Sequence, residues 1–228
     1  MTATKATVCF DLDGTLVDTA PDLFSALDHA LAEQNLPKPD REAIRPIIGF
    51  GAKAMIRRAL ELEKPDTTPG DSQINMLWQS LIEHYTIHIA DQSRPFEGVV
   101  PELKRLKASG HLLAVCTNKP IALTVSLLQK LDLMRYFAAI SGADSFDFKK
   151  PDARHLKQSV LNAGGDPLHA IMVGDSKTDV ETARNAGAPV IGVDFGYTDI
   201  PMKDLAPDRL ISHFNELEAA IKALEPAD

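Results

Sequence analysis

The stretch Ala6-Thr7-Val8-Cys9-Phe10-Asp11-Leu12-Asp13-Gly14-Thr15-Leu16-Val17-Asp18 decides how the rest of the chain is read. Ala6 to Phe10 is a short apolar run of the kind that forms a strand buried on both faces. It stops on two acids one residue apart, followed by a glycine that permits a tight turn. Paired carboxylates at a strand end raise each other's pKa unless a cation lies between them, and all-oxygen ligation favours Mg²⁺. A turn in which Asp and Gly supply only local hydrogen bonds would use the same residues, so this segment alone leaves both readings open.

Working outward, further apolar runs at His111 to Cys116, Phe137 to Ile140, Ala170 to Val173 and Val190 to Val193 also end in polar clusters. Between most of them lie helical patterns: Val100 to Ser109 before Gly110, Ile121 to Leu131, Asp152 to Ala163 before Gly164, and Asp179 to Ala186 before Gly187. The alternation predicts an α/β fold with a doubly wound parallel sheet, whose ligands bind beyond the carboxyl ends of the strands. From Val17 to Ala90 no strand is evident, only helical stretches at Leu23 to Glu33, Ala52 to Leu62 and Ile74 to Ile89, punctuated by Pro37, Pro39, Pro65 and Pro69. A crossover usually needs one helix, so this interval is expected to be a second, small all-helical domain inserted after the first strand. The expected boundaries are 1–16 with 91–228 for the α/β core and 17–90 for the insert. Glu225-Pro226-Ala227-Asp228 is expected to fray.

The other strand ends carry complementary groups. Gly174-Asp175-Ser176-Lys177-Thr178-Asp179 follows one strand and opens a helix expected to start near Asp179. Asp179 by itself is explained by the helix dipole, whereas Asp175, ahead of the helix, fits a third metal-ligating carboxylate. Thr117-Asn118-Lys119-Pro120 and Lys149-Lys150-Pro151 supply hydroxyl, amide and ammonium donors suited to phosphoryl oxygens. Singly, Thr117 could be a helix cap and Lys150 a solvated cation. Asp-x-Asp, Thr, Lys and Asp on successive strand ends are not accounted for by capping.

With these residues in place the chain resembles the haloacid dehalogenase superfamily, whose four motifs would be Asp11-Leu-Asp-Gly-Thr, Thr117, Lys150 and Gly174-Asp-Ser-x-x-Asp, in the expected order. The resemblance spans essentially the whole chain, because the insert looks like the cap domain of the branch that holds the phosphoglycolate phosphatases and phosphoglucomutases. Phe10 to Thr19, Gly49-Phe50-Gly51 and Phe96-Glu-Gly-Val look most like its phosphoglycolate phosphatase side. The resemblance implies a Mg²⁺-dependent phosphatase acting on a small phosphate monoester, with 2-phosphoglycolate foremost, through an aspartyl-phosphate intermediate. Asp11 would be the nucleophile and Asp13 the proton donor and acceptor. Asp11, Asp175 and the backbone carbonyl of Asp13 would hold the metal, Asp179 would orient ligands or reach the metal through water, and Thr117 and Lys150, with Asn118, would bind the phosphoryl group. Lys150 stands directly before Pro151, as the family lysine does, yet adjacent Lys149 could serve instead. Gly49, Phe50 and Gly51 form a candidate site for the leaving group's anion ahead of a helix starting at Ala52, or only a turn. The alternatives are a phosphosugar mutase, against which Thr15 after Gly14 weighs, and a catalytically silent binder of phosphate esters. A dehalogenase proper has no use for a metal or for the second acid.

Composition narrows the rest. Lys and Arg number 24 against 32 Asp and Glu, a net charge of −8, which disfavours nucleic acid and anionic membrane as partners. The expected partner is a small phosphorylated metabolite, and the expected state a monomer or homodimer. Neither a membrane-length apolar run nor an apolar stretch after Met1 is present, so the cytoplasm is the expected location. Cys9 and Cys116 sit inside apolar runs and read as packed thiols. His84 and His88 share helical spacing but lack a third ligand in sequence, and read as a solvated helix face.

Overall fold

The structure, a computed structural model, describes residues 5–225. Met1 to Thr4, part of the start read above, and Pro226 to Asp228, part of the expected fray, lie outside the described residues. Glu225 itself is anchored: its Oε1 accepts the Ala6 N–H at 3.1 Å and faces His111 Nε2 at 3.1 Å.

Strands β1 (Thr7–Phe10), β2 (Val17–Asp18), β3 (Arg94–Pro95), β4 (Leu112–Cys116), β5 (Ala139–Ser141), β6 (Ala170–Gly174), β7 (Val190–Val193) and β8 (Arg209–Ile211) follow in chain order. Six of them form one sheet in the order β5-β4-β1-β6-β7-β8, every adjacent pair parallel. Helices α1 (Ala20–Glu33), α2 (Arg41–Ile44), α3 (Ala52–Glu63), α4 (Asp71–Ile87), α5 (Val99–Ala108), α6 (Ile121–Lys130), α7 (Ala153–Asn162), α8 (Lys177–Ala186) and α9 (Leu217–Lys222) complete the chain. β1 is central because it is buried on both faces, Val8, Cys9 and Phe10 each having no exposed surface. After β1 the chain builds outward to β4 and β5 on one side and then returns to start β6 on the other. That makes the carboxyl ends of β1, β4 and β6 the switch point where such sheets bind ligands. Cys9 and Cys116 pack in one apolar cluster with Leu156, Val160 and Met172, and burial pushes both thiols up, so neither is a reactive thiolate.

Two expectations are corrected here. Strand β8 is missed by pattern reading because Arg209 and Leu210 are exposed, leaving a three-residue edge strand with one buried side chain, Ile211. Helix α8 starts at Lys177 rather than near Asp179, because Ser176 is its N-cap and Asp179 its third residue.

The chain divides into two compact units, Thr19–Arg94 and the remainder. The limits fall at 18/19 and 94/95, not at 16/17 and 90/91. Val17–Asp18 and Arg94–Pro95 adopt strand conformation where the chain leaves and rejoins the larger unit, and Phe96 N–H donates to Leu16 O at 3.1 Å. In the smaller unit, α1 packs along α4, and Leu23, Leu27 and Leu31 of α1 and Ile74, Leu77 and Leu81 of α4 are all buried. Buried Asp22 closes this unit by accepting hydrogen bonds from the backbones of Gln92 and Ser93 and from the Ser93 hydroxyl. His84 is not simply solvated. Its ring stacks on His29 from α1 at 4.3 Å and lies 4.4 Å from His88.

Candidate active site

The carboxyl ends of β1, β4 and β6 hold a charged cluster. The turn after β1 needs Gly14, whose φ is +82° and whose added Cβ would fall 2.3 Å from Asp175 Oδ2, so backbone and carboxylate approach as only glycine allows. Asp175 Oδ2 accepts the Tyr197 N–H at 2.7 Å, and its Oδ1 accepts the Thr15 hydroxyl at 2.9 Å. Asp179 Oδ2 accepts both the Ser176 N–H (3.1 Å) and hydroxyl (2.6 Å). Its Oδ1 accepts from Lys150 Nζ at 2.6 Å. Lys150 Nζ also lies 3.0 Å from Asp11 Oδ1, which in turn accepts the Leu12 N–H at 2.7 Å.

Asp11, Asp175 and Asp179 each place a carboxylate oxygen within 4.8 Å of the other two. Three clustered carboxylates, Asp175 and Asp179 buried and Asp11 half-buried, against the one ammonium of Lys150 leave two negative charges uncompensated. The consequence is visible in their protonation: burial first, and then each other's charge, push Asp175 up to about 8 and Asp11 up to about 6. Lys150 is held well above its ordinary range, because the neighbouring carboxylates outweigh its burial. An all-oxygen donor set with a deficit of two positive charges fits a divalent cation, with Asp11, Asp175 and Asp179 as the residues that would hold it.

This makes a pH prediction. Asp175 and Asp11 have folded-state pKa values above the ordinary carboxylate value, so their protonated forms stabilise the metal-free fold below pH ~4, and that contribution is lost as pH rises through 6 and 8. A divalent cation takes the place of those protons, so the rise in Tm on adding Mg²⁺ in place of chelator should widen from pH 6.5 to 8.5. His155, lowered to about 4 by burial and by Lys150, stays neutral throughout that window. A Tm difference that does not change across the window would mean that the carboxylates do not exchange protons for metal.

Of the residues selected from sequence, Thr117 is buried beside Asp11 and hydrogen-bonds its carboxylate, while accepting the Lys119 N–H at 3.2 Å. Asn118 Nδ2 donates to the Lys150 carbonyl at 3.0 Å, tying the end of β4 to the loop that leads into α7. The choice between lysines falls to Lys150, which is 2% exposed, whereas Lys149 is exposed to solvent. Asp13 does not join the carboxylate cluster through its side chain. Both its oxygens accept from Lys119 Nζ, at 3.0 and 3.2 Å. Asp179, expected to act at a distance, stands inside the cluster and caps α8 as well.

Gly49, Phe50 and Gly51 lie in the smaller unit and are not the loop expected. Gly49 and Phe50 end a 3₁₀ helix, Arg45–Phe50, and Gly51 alone separates it from α3. Gly51 has φ +93° and ψ 168°, a region open essentially to glycine, and its N–H is already donated to Ile48 O. Conformation therefore accounts for this glycine.

Sequence reading gives three further residues no role of their own. Lys119 enters it only as one of the donors in Thr117-Asn118-Lys119-Pro120. His155, buried on α7, accepts the Lys150 N–H on Nδ1 at 3.1 Å and fixes the backbone that carries the ammonium, and nothing in its helical pattern marks it. Tyr197 acts through its backbone amide, which no side-chain pattern reveals.

A doubly wound parallel sheet that gathers three carboxylates able to hold a divalent cation, a threonine and a buried lysine beyond its strand ends is the arrangement of a phosphoryl-transfer hydrolase. Comparison with known proteins agrees. Residues 8–193 match the haloacid dehalogenase-like hydrolase family. The chain is 45% identical over 210 residues to a phosphoglycolate phosphatase of Mesorhizobium japonicum, covering 92% of each chain. It is 48% identical over 212 residues to a phosphoglycolate phosphatase of Agrobacterium fabrum, covering 93% of this chain and 90% of the relative. Its fold superposes on the crystal structure of a predicted phosphoglycolate phosphatase from Haemophilus somnus 129PT with a TM-score of 0.88 at 28% identity, covering 96% and 99% of the two chains. The chain belongs to the haloacid dehalogenase-like hydrolase family. It is an enzyme that hydrolyses phosphoric monoesters.

Proposed function

We propose that this enzyme is a Mg²⁺-dependent phosphatase that converts 2-phosphoglycolate to glycolate and phosphate through an aspartyl-phosphate on Asp11. The observation that carries the mechanism is the strand-end cluster itself: a carboxylate aimed by Thr117, Leu12 N–H and Lys150, with a second acid two residues on. The substrate rests on the two relatives at 45% and 48% identity named for it.

Bound Mg²⁺, held by Asp11, Asp175 and Asp179 with the Asp13 carbonyl, would neutralise the attacking carboxylate and the phosphoryl oxygens. An Asp11 oxygen attacks phosphorus in line as the ester P–O bond breaks, and Asp13 gives a proton to the leaving alkoxide. Asp13 then takes a proton from water, whose oxygen attacks phosphorus and releases Asp11 as carboxylate. Thr117 and Lys150, steadied by Asn118 and His155, place positive charge against the equatorial oxygens in the transition state, where it counts most. The helical insert is assigned the role of a cap that excludes water.

The enzyme is proposed to act in the cytoplasm on a free metabolite, as a monomer or homodimer and with neither nucleic acid nor membrane. The acidic charge balance supports this, and no helix among the described residues is long and apolar enough to cross a membrane.

A panel of phosphate esters, including 2-phosphoglycolate and sugar phosphates, assayed for phosphate release with Mg²⁺ and with chelator, tests the proposal. The expected result is release that needs Mg²⁺ and is fastest from 2-phosphoglycolate. Isomerised sugar phosphate without phosphate release would make the enzyme a mutase, and no turnover of any ester would make it a binder.

A further inference from the structure

Lys119 is a buried ammonium that the mechanism above does not use. It is 7% exposed, and its backbone is fixed on several sides: its N–H donates to Thr117 Oγ1, and its carbonyl accepts the Ala143 N–H at 3.0 Å. This mount holds the side chain against the carboxylate of Asp13, both of whose oxygens accept from Nζ. Lys150 serves the nucleophile; Lys119 serves the acid that handles the leaving group.

That pairing cannot persist unchanged through the reaction. To reach the leaving oxygen, Asp13 must turn at least one of its two oxygens away from Nζ. A buried ammonium that loses part of its anion is costly unless another anion replaces it. Nζ is one hydrogen bond from the atoms that touch the leaving oxygen, so an anion on the leaving group comes within its reach. In a glycolate ester the carboxylate stands one methylene from that oxygen, and an ammonium carries three donors with which to take it. An uncharged leaving group offers no such exchange.

We propose that Lys119 is the residue that selects a carboxylate-bearing leaving group, passing its ammonium from Asp13 to the substrate's carboxylate as the ester binds. This rests on the 2-phosphoglycolate reading and moves part of the specificity from the insert to the core.

The test is the ratio of kcat/KM for 2-phosphoglycolate to that for 2-hydroxyethyl phosphate, an ester of similar size with an uncharged leaving group. It is measured for the wild type, Lys119→Met, Lys119→Gln and Lys119→Arg, with folding checked by circular dichroism. The wild type should favour 2-phosphoglycolate, and Lys119→Met should lower the ratio about 10- to 100-fold, the range of a lost hydrogen bond between charged groups, whatever the absolute rates. Lys119→Arg, which keeps the charge, should recover part of the ratio, and Lys119→Gln stands in for the methionine variant if that one does not fold. Because the loss of a merely structural ion pair slows both esters alike, an unchanged ratio in a folded Lys119→Met or Lys119→Gln overturns the assignment and leaves the substrate reading intact. A wild type without preference between the two esters overturns both.

Discussion

Asp11→Asn should lower kcat by ~10⁴-fold or more, the scale expected when a covalent nucleophile is removed, while leaving the fold intact. The substitution keeps the shape and one oxygen that can accept the Leu12 N–H, but removes the anionic charge with which Asp11 attacks phosphorus. It also relieves the cluster. In the native protein burial pushes the Asp11 carboxyl up to about 6, and an uncharged amide does not compete with Asp179 for the Lys150 ammonium. In chelator at pH 7.5 the variant should therefore melt no lower than the wild type. Loss of turnover together with an equal or raised Tm identifies Asp11 as chemically required. Activity within tenfold of wild type would remove the covalent intermediate from the mechanism.

The second large effect is on stability. Lys150→Met takes away the ammonium that contacts Asp11 at 3.0 Å and Asp179 at 2.6 Å. Removing one member of a buried ion pair typically costs ~3 to 5 kcal/mol, because the remaining charge is left desolvated and unpaired. For a domain of this size that corresponds to a fall in Tm of about 10 °C. The sign with pH follows from the same charges. Without the ammonium, the carboxylates keep protons in the fold that they lose in the unfolded chain, so the deficit should be small near pH 5 and widen towards pH 8. Lys149→Met, at an exposed position next door, should change stability by no more than surface substitutions do, ~0.5 kcal/mol. A differential scanning measurement of both variants at two pH values checks the pair, and equal effects at the two positions would contradict the assignment of the buried lysine.

Much of this was legible in the sequence because it depends on local chemistry. The runs Ala6 to Phe10 and Ala170 to Val173 read as buried strands, since a strand covered on both faces must be apolar throughout, and each is followed by acids that no capping or turn preference fully explains. Asp11, Thr117 and Asp175 therefore stand out at strand ends, Asp179 and Lys150 with the help of the family resemblance, and the parallel order that puts those ends side by side follows from the alternation of strand and helix. What only the tertiary structure decided is which charges meet. Asp13 and Asp11 are two residues apart and adjacent in every sequence argument, yet the turn at Gly14 sends one to Lys119 and the other to Lys150, 106 residues away from its partner in the first case. Lys149 and Lys150 are indistinguishable as letters, and burial separates them because only one faces the cluster. His155 and the Tyr197 amide enter the site through backbone hydrogen bonds across the fold, which leave no mark on residue type or spacing. Periodicity records whether a side chain faces apolar surroundings or water; the pairing of charges across strands depends on distances that exist only once the sheet has closed.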